Sequence, residues 1–80
     1  MNRIEKIKLF INVISKLSEK NGFTRIRDIA ITLRISSSSV CTTVSRMKSK
    51  GLLSGDKYGP ISVTLKGLNY ADDTDLNELP

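Results

Sequence analysis

The sequence predicts a mainly α-helical domain with a small β-ribbon, an α+β fold in which three core helices precede a two- or three-stranded ribbon and a short last helix. Three observations support this prediction. Apolar side chains recur at helical spacing in the first part of the chain, a run of four serines stands where a third helix should begin, and the period of the apolar residues changes to two after Gly51. Eighty residues are enough for one small domain.

The first predicted helix covers residues 3–20. Its isoleucines recur at steps of three and four residues, at Ile4, Ile7, Ile11 and Ile14. Leu9 and Val13 widen the apolar arc beyond what one core-facing helix needs, so this helix is either deeply buried or part of a dimer contact. We expect a homodimer, because a core built from so short a chain is marginal alone. Gly22 is the predicted stop of the helix.

A second, short helix is predicted from apolar residues at i, i+3, i+4 and i+7. The positions with this spacing are Ile26, Ile29, Ala30 and Leu33. Asp28 falls in the first turn of this helix, where the helix dipole favours a carboxylate. Residues 24–26 are expected to form a short extended segment.

The third predicted helix follows the serine run in "RISSSSVCTTVSRMKSKGLL". Ser36 is expected to be its N-cap, with a hydroxyl that accepts a hydrogen bond from the amide of Ser38 or Ser39. The helix then begins at residue 37 and stops at Gly51. Its core face is predicted to hold Val40, Val44 and Met47. Its opposite face is entirely polar and consists of Ser38, Ser39, Thr42, Ser45, Arg46 and Ser49.

The ribbon and the last helix follow Gly51. The segments "LLS" and "ISVTL" are predicted strands, joined by a tip rich in turn residues. Alternation places three apolar residues on one face of the second strand, at Ile61, Val63 and Leu65. Thr64 can cap a last short helix through Leu68 and Ala71. The domain is expected to span residues 1–71, and the acidic residues 72–80 are expected to form a mobile tail.

The charge distribution favours a polyanionic partner. Residues 1–71 contain all 13 basic residues and 4 of the 8 acidic ones, which gives a net charge of +9. Nucleic acid is the simplest partner for such a basic domain. No apolar stretch approaches the length of a membrane-spanning helix, so no membrane association is expected. The single cysteine, Cys41, is predicted to pack beside the core and suits a reducing compartment, so we expect a cytoplasmic protein.

No motif in the sequence favours an enzyme. The chain has no histidine, no phosphate-binding loop and no pair of carboxylates in the part that is expected to fold. Residues 45–48, "SRMK", match the S-x-x-K motif of serine acylases, but no companion motif follows. We therefore predict a binding protein.

The order helix, short helix, tight turn, helix and ribbon is that of a winged helix-turn-helix domain, in which the ribbon is the wing. In such domains the second helix of the pair lies in the DNA major groove, with its first residues at the base edges. Small serines let the helix backbone approach closely, and free amides at the helix start can meet a phosphate. We therefore expect a sequence-specific, double-stranded-DNA-binding transcriptional regulator, most simply a repressor.

The segments "GFTRIRDIAITLRISSSSVCTTVSRMKSKGLL" and "KYGPISVTLKG" resemble the DNA-binding domain of the iron- and manganese-dependent repressors of the diphtheria-toxin-repressor type, and more distantly the MarR group. The resemblance covers residues 7–71. It implies DNA contacts at Ser37, Ser38, Ser39, Thr42, Thr43 and Arg46, with Lys57 and Tyr58 in the wing. Arg25, Arg34 and Ser36 adjoin the second and third helices and complete the candidate DNA-binding residues.

The sequence departs from the metal site that this resemblance implies. The ligand positions of the first helix fall near Leu9 and Asn12, neither of which is a good metal ligand. We therefore expect no metal, no other cofactor and no small-molecule effector. Arg34 also stands at a turn position that is usually glycine in the family. The alternative function is a winged-helix protein-interaction module without DNA binding, which would present large apolar anchors on the third helix.

Overall fold

A computed structural model describes residues 2–56 and 59–70 of the chain. Its elements are α1 (Arg3–Leu17), α2 (Ile26–Leu33), α3 (Ser37–Ser49), β1 (Leu53–Gly55), β2 (Ile61–Val63) and α4, which is helical over residues 65–70. The predicted fold, mainly α with a small ribbon, is confirmed. Lys57 and Tyr58, predicted in the wing, Ala71, predicted in the last helix, and the predicted tail 72–80 lie outside the described residues. No helix in the described ranges is long and apolar enough to cross a membrane.

α1 is shorter than predicted, because the chain turns after Leu17. The side chain of Asn2 caps the start of the helix and accepts a hydrogen bond from the amide of Glu5 at 2.8 Å. Beyond the helix, the amide of Gly22 donates to the carbonyl oxygen of Ser18 at 2.6 Å. Gly22 has a φ of +83°, a left-handed value that glycine adopts without steric cost. The predicted stop at Gly22 therefore closes a turn that follows the helix.

One hydrophobic core is formed by α1, α2, α3 and the ribbon. α1 packs against α2 and β2, while α3 packs against α2 and β1. The large side chains buried most completely are Phe10, Ile11, Ile14, Ile29, Val40, Val44, Met47, Leu52 and Ile61. The predicted core face of α3 is thus confirmed. Leu9 and Val13 are half-buried, so the wide apolar arc of α1 is covered only in part.

A three-residue turn connects α2 to α3 and contains the one described non-glycine residue with positive φ. Arg34 has φ 58° and ψ 43°, in the left-handed helical region. The amide of Ile35 donates to the carbonyl oxygen of Ala30 at 3.2 Å. The amide of Arg34 donates to the carbonyl oxygen of Ile31 at 3.3 Å. These two hydrogen bonds form the Schellman ending that normally uses glycine. Arg34 therefore adopts the expected glycine geometry at some steric cost.

α3 ends in the same type of motif, here around a glycine. The amide of Gly51 donates to the carbonyl oxygen of Lys48 at 2.9 Å. The amide of Leu52 donates to the carbonyl oxygen of Met47, also at 2.9 Å. Gly51 has a φ of +78°, so the predicted glycine stop is confirmed. The buried Leu52 then leads the chain into β1.

The wing is a two-stranded antiparallel ribbon, and β2 makes one further β-bridge to the segment before α2. β1 and β2 pair antiparallel, with Leu53 opposite Val63 and Gly55 opposite Ile61. The amide of Thr24 donates to the carbonyl oxygen of Ile61 at 2.8 Å, and the amide of Ile61 donates back at 2.7 Å. The extended segment predicted at residues 24–26 therefore forms a β-bridge at Thr24. This bridge connects the chain just before α2 to the wing.

Thr64 begins α4 and anchors it to the end of α3. Its hydroxyl donates to the carbonyl oxygen of Gly51 at 2.7 Å and accepts from the amide of Gly67 at 3.0 Å, so the predicted cap is confirmed. The predicted place of Leu65 on the core face of the second strand is wrong. The strand ends at Val63, and Leu65 is 75% exposed at the start of α4, because the cap ends the alternation of the strand.

Candidate nucleic-acid interface

The exposed face of α3 consists of short polar side chains and one arginine. Its exposed residues are Ser37, Ser38, Ser39, Thr42, Ser45, Arg46 and Ser49. α3 contains no acidic residue, so a polyanion meets no like charge on this helix. The predicted polar face is confirmed, and it contains no apolar side chain that could anchor a protein partner.

Ser36 fixes where this face begins. Its Oγ accepts a hydrogen bond from the amide of Ser39 at 3.1 Å, and its hydroxyl donates to the Oγ of Ser39 at 3.0 Å. The hydroxyl of Thr42 donates to the carbonyl oxygen of Ser38 at 3.0 Å. The cap satisfies one of the free amides at the helix start, while others remain available to an acceptor such as a phosphate. The predicted N-cap and the helix start at residue 37 are confirmed.

Thr43 does not lie on the exposed face with the other candidates of α3. It is only 9% exposed, and it borders a pocket between α1 and α3. Thr43 is one residue beyond Thr42, a rotation of about 100° around the helix, which turns it from the exposed face toward α1. We therefore leave Thr43 out of the proposed DNA-contacting surface.

Two arginines lie beside the helix pair. Arg34, in the turn, is exposed and directly precedes Ile35 and Ser36. Arg25 is the N-cap residue of α2 and makes no side-chain cap hydrogen bond within the described structure. Its guanidinium instead lies over the ring of Phe23, 5.8 Å from the centroid. The first amides of α2 are therefore free of a side-chain cap and available to an anion.

A lysine outside the predicted set connects α3 to the wing. The Nζ of Lys48 donates to the backbone carbonyl oxygen of Asp56 at 3.0 Å, across the last residues of β1. Lys48 is half-buried. This contact holds the chain at the end of β1 against the end of α3. A side-chain contact to a backbone oxygen eight residues away leaves no pattern in the sequence, so Lys48 is not among the predicted residues.

The residues present do not fit an iron or manganese ion. Over residues 2–56 and 59–70 there is no group of three or more His, Cys, Asp or Glu side chains that could hold a metal. Leu9 is half-buried and Asn12 is exposed at the positions where the resemblance implies first-helix ligands. Divalent ions of this type need several oxygen, imidazole or thiolate donors. The described residues therefore lack the set of donors that such an ion needs.

These features define a DNA-binding winged helix-turn-helix domain. Residues 3–61 match the family described as the iron dependent repressor, N-terminal DNA binding domain. This match covers more than half of the 80 residues. The chain therefore belongs to that family, and the resemblance seen in the sequence is confirmed. The family is a DNA-binding domain, not an enzyme. No curated protein is significantly similar to the chain in sequence.

Two solved structures share the fold. The crystal structure of IdeR from T. acidophilum matches with a TM-score of 0.70 at 19% identity, over 90% of this chain and 32% of that one. The heme sensor protein PefR from Streptococcus agalactiae, solved in complex with heme, matches with a TM-score of 0.68 at 19% identity, over 94% and 54%. The chain thus spans about a third and about half of the lengths of these two proteins.

Proposed function

We propose that this chain is a sequence-specific, double-stranded-DNA-binding transcriptional regulator that acts as a repressor by occupying its binding site. The observation that carries the proposal is the exposed face of α3, which is made of serine, threonine and arginine and contains no acid. Family membership supports the DNA partner. In this proposal α3 enters the major groove with its first turn foremost.

Each part of the surface has a role in the proposal. Ser37, Ser38, Ser39 and Thr42 present small hydroxyls that donate to or accept from base edges. Arg46 contacts either a guanine, through two of its three guanidinium nitrogens, or a phosphate. The uncapped start of α2, with Arg25, receives a backbone phosphate. Lys57 and Tyr58 in the wing contact the sugar-phosphate backbone.

The regulator is proposed to be a cytoplasmic homodimer. Leu65 and Leu68 of α4 are 75% and 45% exposed, three residues apart on one helix face, and the apolar arc of α1 is only partly covered. A second copy would bury these side chains and align two recognition helices with two half-sites. Sedimentation at micromolar concentration tests this point, and a monomer both free and on DNA would contradict it.

DNA binding is proposed to need no divalent metal, since the donor set of the described residues does not fit one. Titration of a duplex in the presence of a chelator should give the same affinity as titration in manganese or iron. Loss of binding with chelator and its return with either metal would contradict this.

Selection on random duplexes followed by footprinting tests the proposed function. Enrichment of one motif, protected over two half-sites, is the expected result. The enriched duplex should bind at least about a thousandfold more tightly than a scrambled duplex of the same length at physiological salt. Equal binding to both duplexes would contradict sequence-specific regulation, and absence of binding to either would favour the interaction-module alternative.

A further inference from the structure

A pocket of about 420 Å³ lies between the first turns of α1 and the second half of α3. It exists because α1 and α3 make their main contacts with α2 and the ribbon rather than with each other. Arg3 and Lys6 border it from α1, and Arg46 and Lys50 from the end of α3. We call it the α1–α3 pocket. It brings together residues that are about 40 positions apart in the sequence, so no local sequence pattern indicates it.

The rim of the α1–α3 pocket is strongly cationic. Arg3, Lys6, Arg46 and Lys50 are all exposed, and no acidic side chain is among the residues that line the pocket. Four like charges around one concavity raise its potential and favour an anion there over water.

The floor of the α1–α3 pocket is apolar. Ile7 and Met47 lie beneath it, but both belong to the core and are only 6% and 1% exposed, so the apolar surface that a ligand meets consists mainly of the methylene groups of the rim side chains. The volume of the pocket falls in the range of about 300–1,000 Å³ that is usual for small organic ligands. A bare inorganic anion would contact the cationic groups of the rim but leave these methylene groups in contact with water. An organic anion would satisfy both surfaces.

We propose that the α1–α3 pocket binds a small amphipathic organic anion, with its carboxylate or phosphate among the cationic groups of Arg3, Lys6, Arg46 and Lys50 and its apolar part against the methylene groups of the same side chains. This assignment departs from the expectation, drawn from the sequence, that the protein has no small-molecule effector. It concerns the described residues alone and does not require DNA.

Arg46 gives the pocket a regulatory consequence. The same side chain borders the pocket and belongs to the exposed face of α3. An anion that pairs with Arg46 takes it away from a guanine or a phosphate, so ligand and DNA compete. This consequence rests on the proposed function, whereas binding of the anion does not.

Three probes separate the contributions to binding: 2-naphthyl phosphate, inorganic phosphate and uncharged 2-naphthol. Calorimetry on the full chain without DNA should detect 2-naphthyl phosphate, with clearly weaker binding of the other two. Backbone amide shifts in NMR spectra should concentrate at Ile7, Thr43 and Met47. If inorganic phosphate bound as tightly as 2-naphthyl phosphate, the proposal would be overturned. The pocket would then be a binding site for phosphate alone, such as a phosphate of the DNA backbone.

A matched pair of variants tests the location. R3Q/K6Q should weaken 2-naphthyl phosphate roughly tenfold, since two charge-assisted contacts are lost. K16Q/K20Q removes the same charge from exposed residues that do not line the pocket, and it should change affinity by less than about twofold. Equal weakening by both variants would overturn the proposal in favour of non-specific attraction.

Competition is measured last, with the enriched duplex. Saturating 2-naphthyl phosphate should weaken duplex binding by the wild type, and R3Q/K6Q should need about tenfold more ligand for the same effect. If the anion binds but does not affect the duplex, the regulatory consequence is overturned while the site stands. If no duplex binds at all, the proposed function fails, and the calorimetric result still decides the site.

Discussion

The Oγ of Ser36 lies 3.1 Å from the backbone nitrogen of Ser39, and this hydrogen bond fixes the first residue of α3. The cap leaves the next three serines exposed in a turn with no bulky side chain. A polar run at this point in the chain therefore starts a helix rather than a loop. In the proposed function, that slim turn is the part of the protein that meets the bases.

Replacing Ser36 should separate its capping role from any DNA contact. Ser36→Ala removes the acceptor for the amide of Ser39 and should lower the free energy of unfolding by about 1 kcal/mol. Ser36→Asn keeps a good cap and should leave stability nearly unchanged. Urea unfolding followed by circular dichroism measures both. Equal stability of the wild type and Ser36→Ala would show that the cap does not hold α3.

Arg34→Gly should stabilise the domain. Arg34 has a left-handed φ of 58°, which costs a residue with a Cβ roughly 1–2 kcal/mol relative to glycine. The extra flexibility of glycine in the unfolded chain offsets part of this, so the expected gain is about 0.5–1 kcal/mol. Arg34→Ala keeps the Cβ and serves as the control, with no expected gain. If both variants unfold at the same urea concentration, the turn is not strained.

Gly67→Ala should destabilise the domain, although alanine is normally the better helix former. A Cβ at Gly67 would run into the carbonyl oxygen of Leu52 and lie 2.9 Å from Cγ1 of Val63. We expect a loss of about 1–3 kcal/mol, typical of overpacking a tight contact. Asn69→Ala, at an exposed position of the same helix, should be neutral or stabilising. A gain in stability for Gly67→Ala would mean that α4 does not pack closely against β1 and β2.

Much of the fold is readable from the sequence because local rules suffice for it. Three features of α3 depend only on residues within one or two helical turns. They are the spacing of Val40, Val44 and Met47, the N-cap at Ser36 and the glycine motif that ends the helix. The alternation that placed Leu65 in the second strand is just as local. It misleads because Thr64 also satisfies the rule for a helix cap, and only the hydrogen bonds decide between strand and helix.

The site is less readable than the fold because it depends on tertiary placement. The family resemblance places Thr43 on the DNA surface, yet Thr43 is one residue beyond Thr42 around the helix, is only 9% exposed and borders the pocket between α1 and α3. The α1–α3 pocket joins Arg3 and Lys6 to the end of α3, and only the packing of the helices brings these residues together. The sequence shows the net positive charge of the domain. It does not show which cationic side chains line the same pocket.

Arg46→Ala should reveal whether this side chain reads a base or a phosphate. Loss of a guanine contact costs roughly 1–3 kcal/mol and relaxes specificity at one base pair. Loss of a phosphate contact weakens all duplexes alike and lowers the slope of log affinity against log salt by about one. Lys57→Ala should show only the second pattern. Titrations of enriched and mutated duplexes at two salt concentrations distinguish the patterns. An Arg46→Ala variant with wild-type affinity, specificity and salt slope would remove Arg46 from the interface.

The affinity of Ser38→Leu for the enriched duplex tests most directly whether α3 reads the DNA. Ser38 is exposed, and Thr42 bonds only to its backbone oxygen, so leucine should leave the fold intact while its bulk keeps α3 out of the groove. We expect an unchanged circular dichroism spectrum and at least about tenfold weaker binding, the size of one lost base contact. The control is Asn21→Leu, at an exposed position in the turn after α1, which should bind like the wild type. A folded Ser38→Leu variant with wild-type affinity would contradict the claim that α3 reads the DNA.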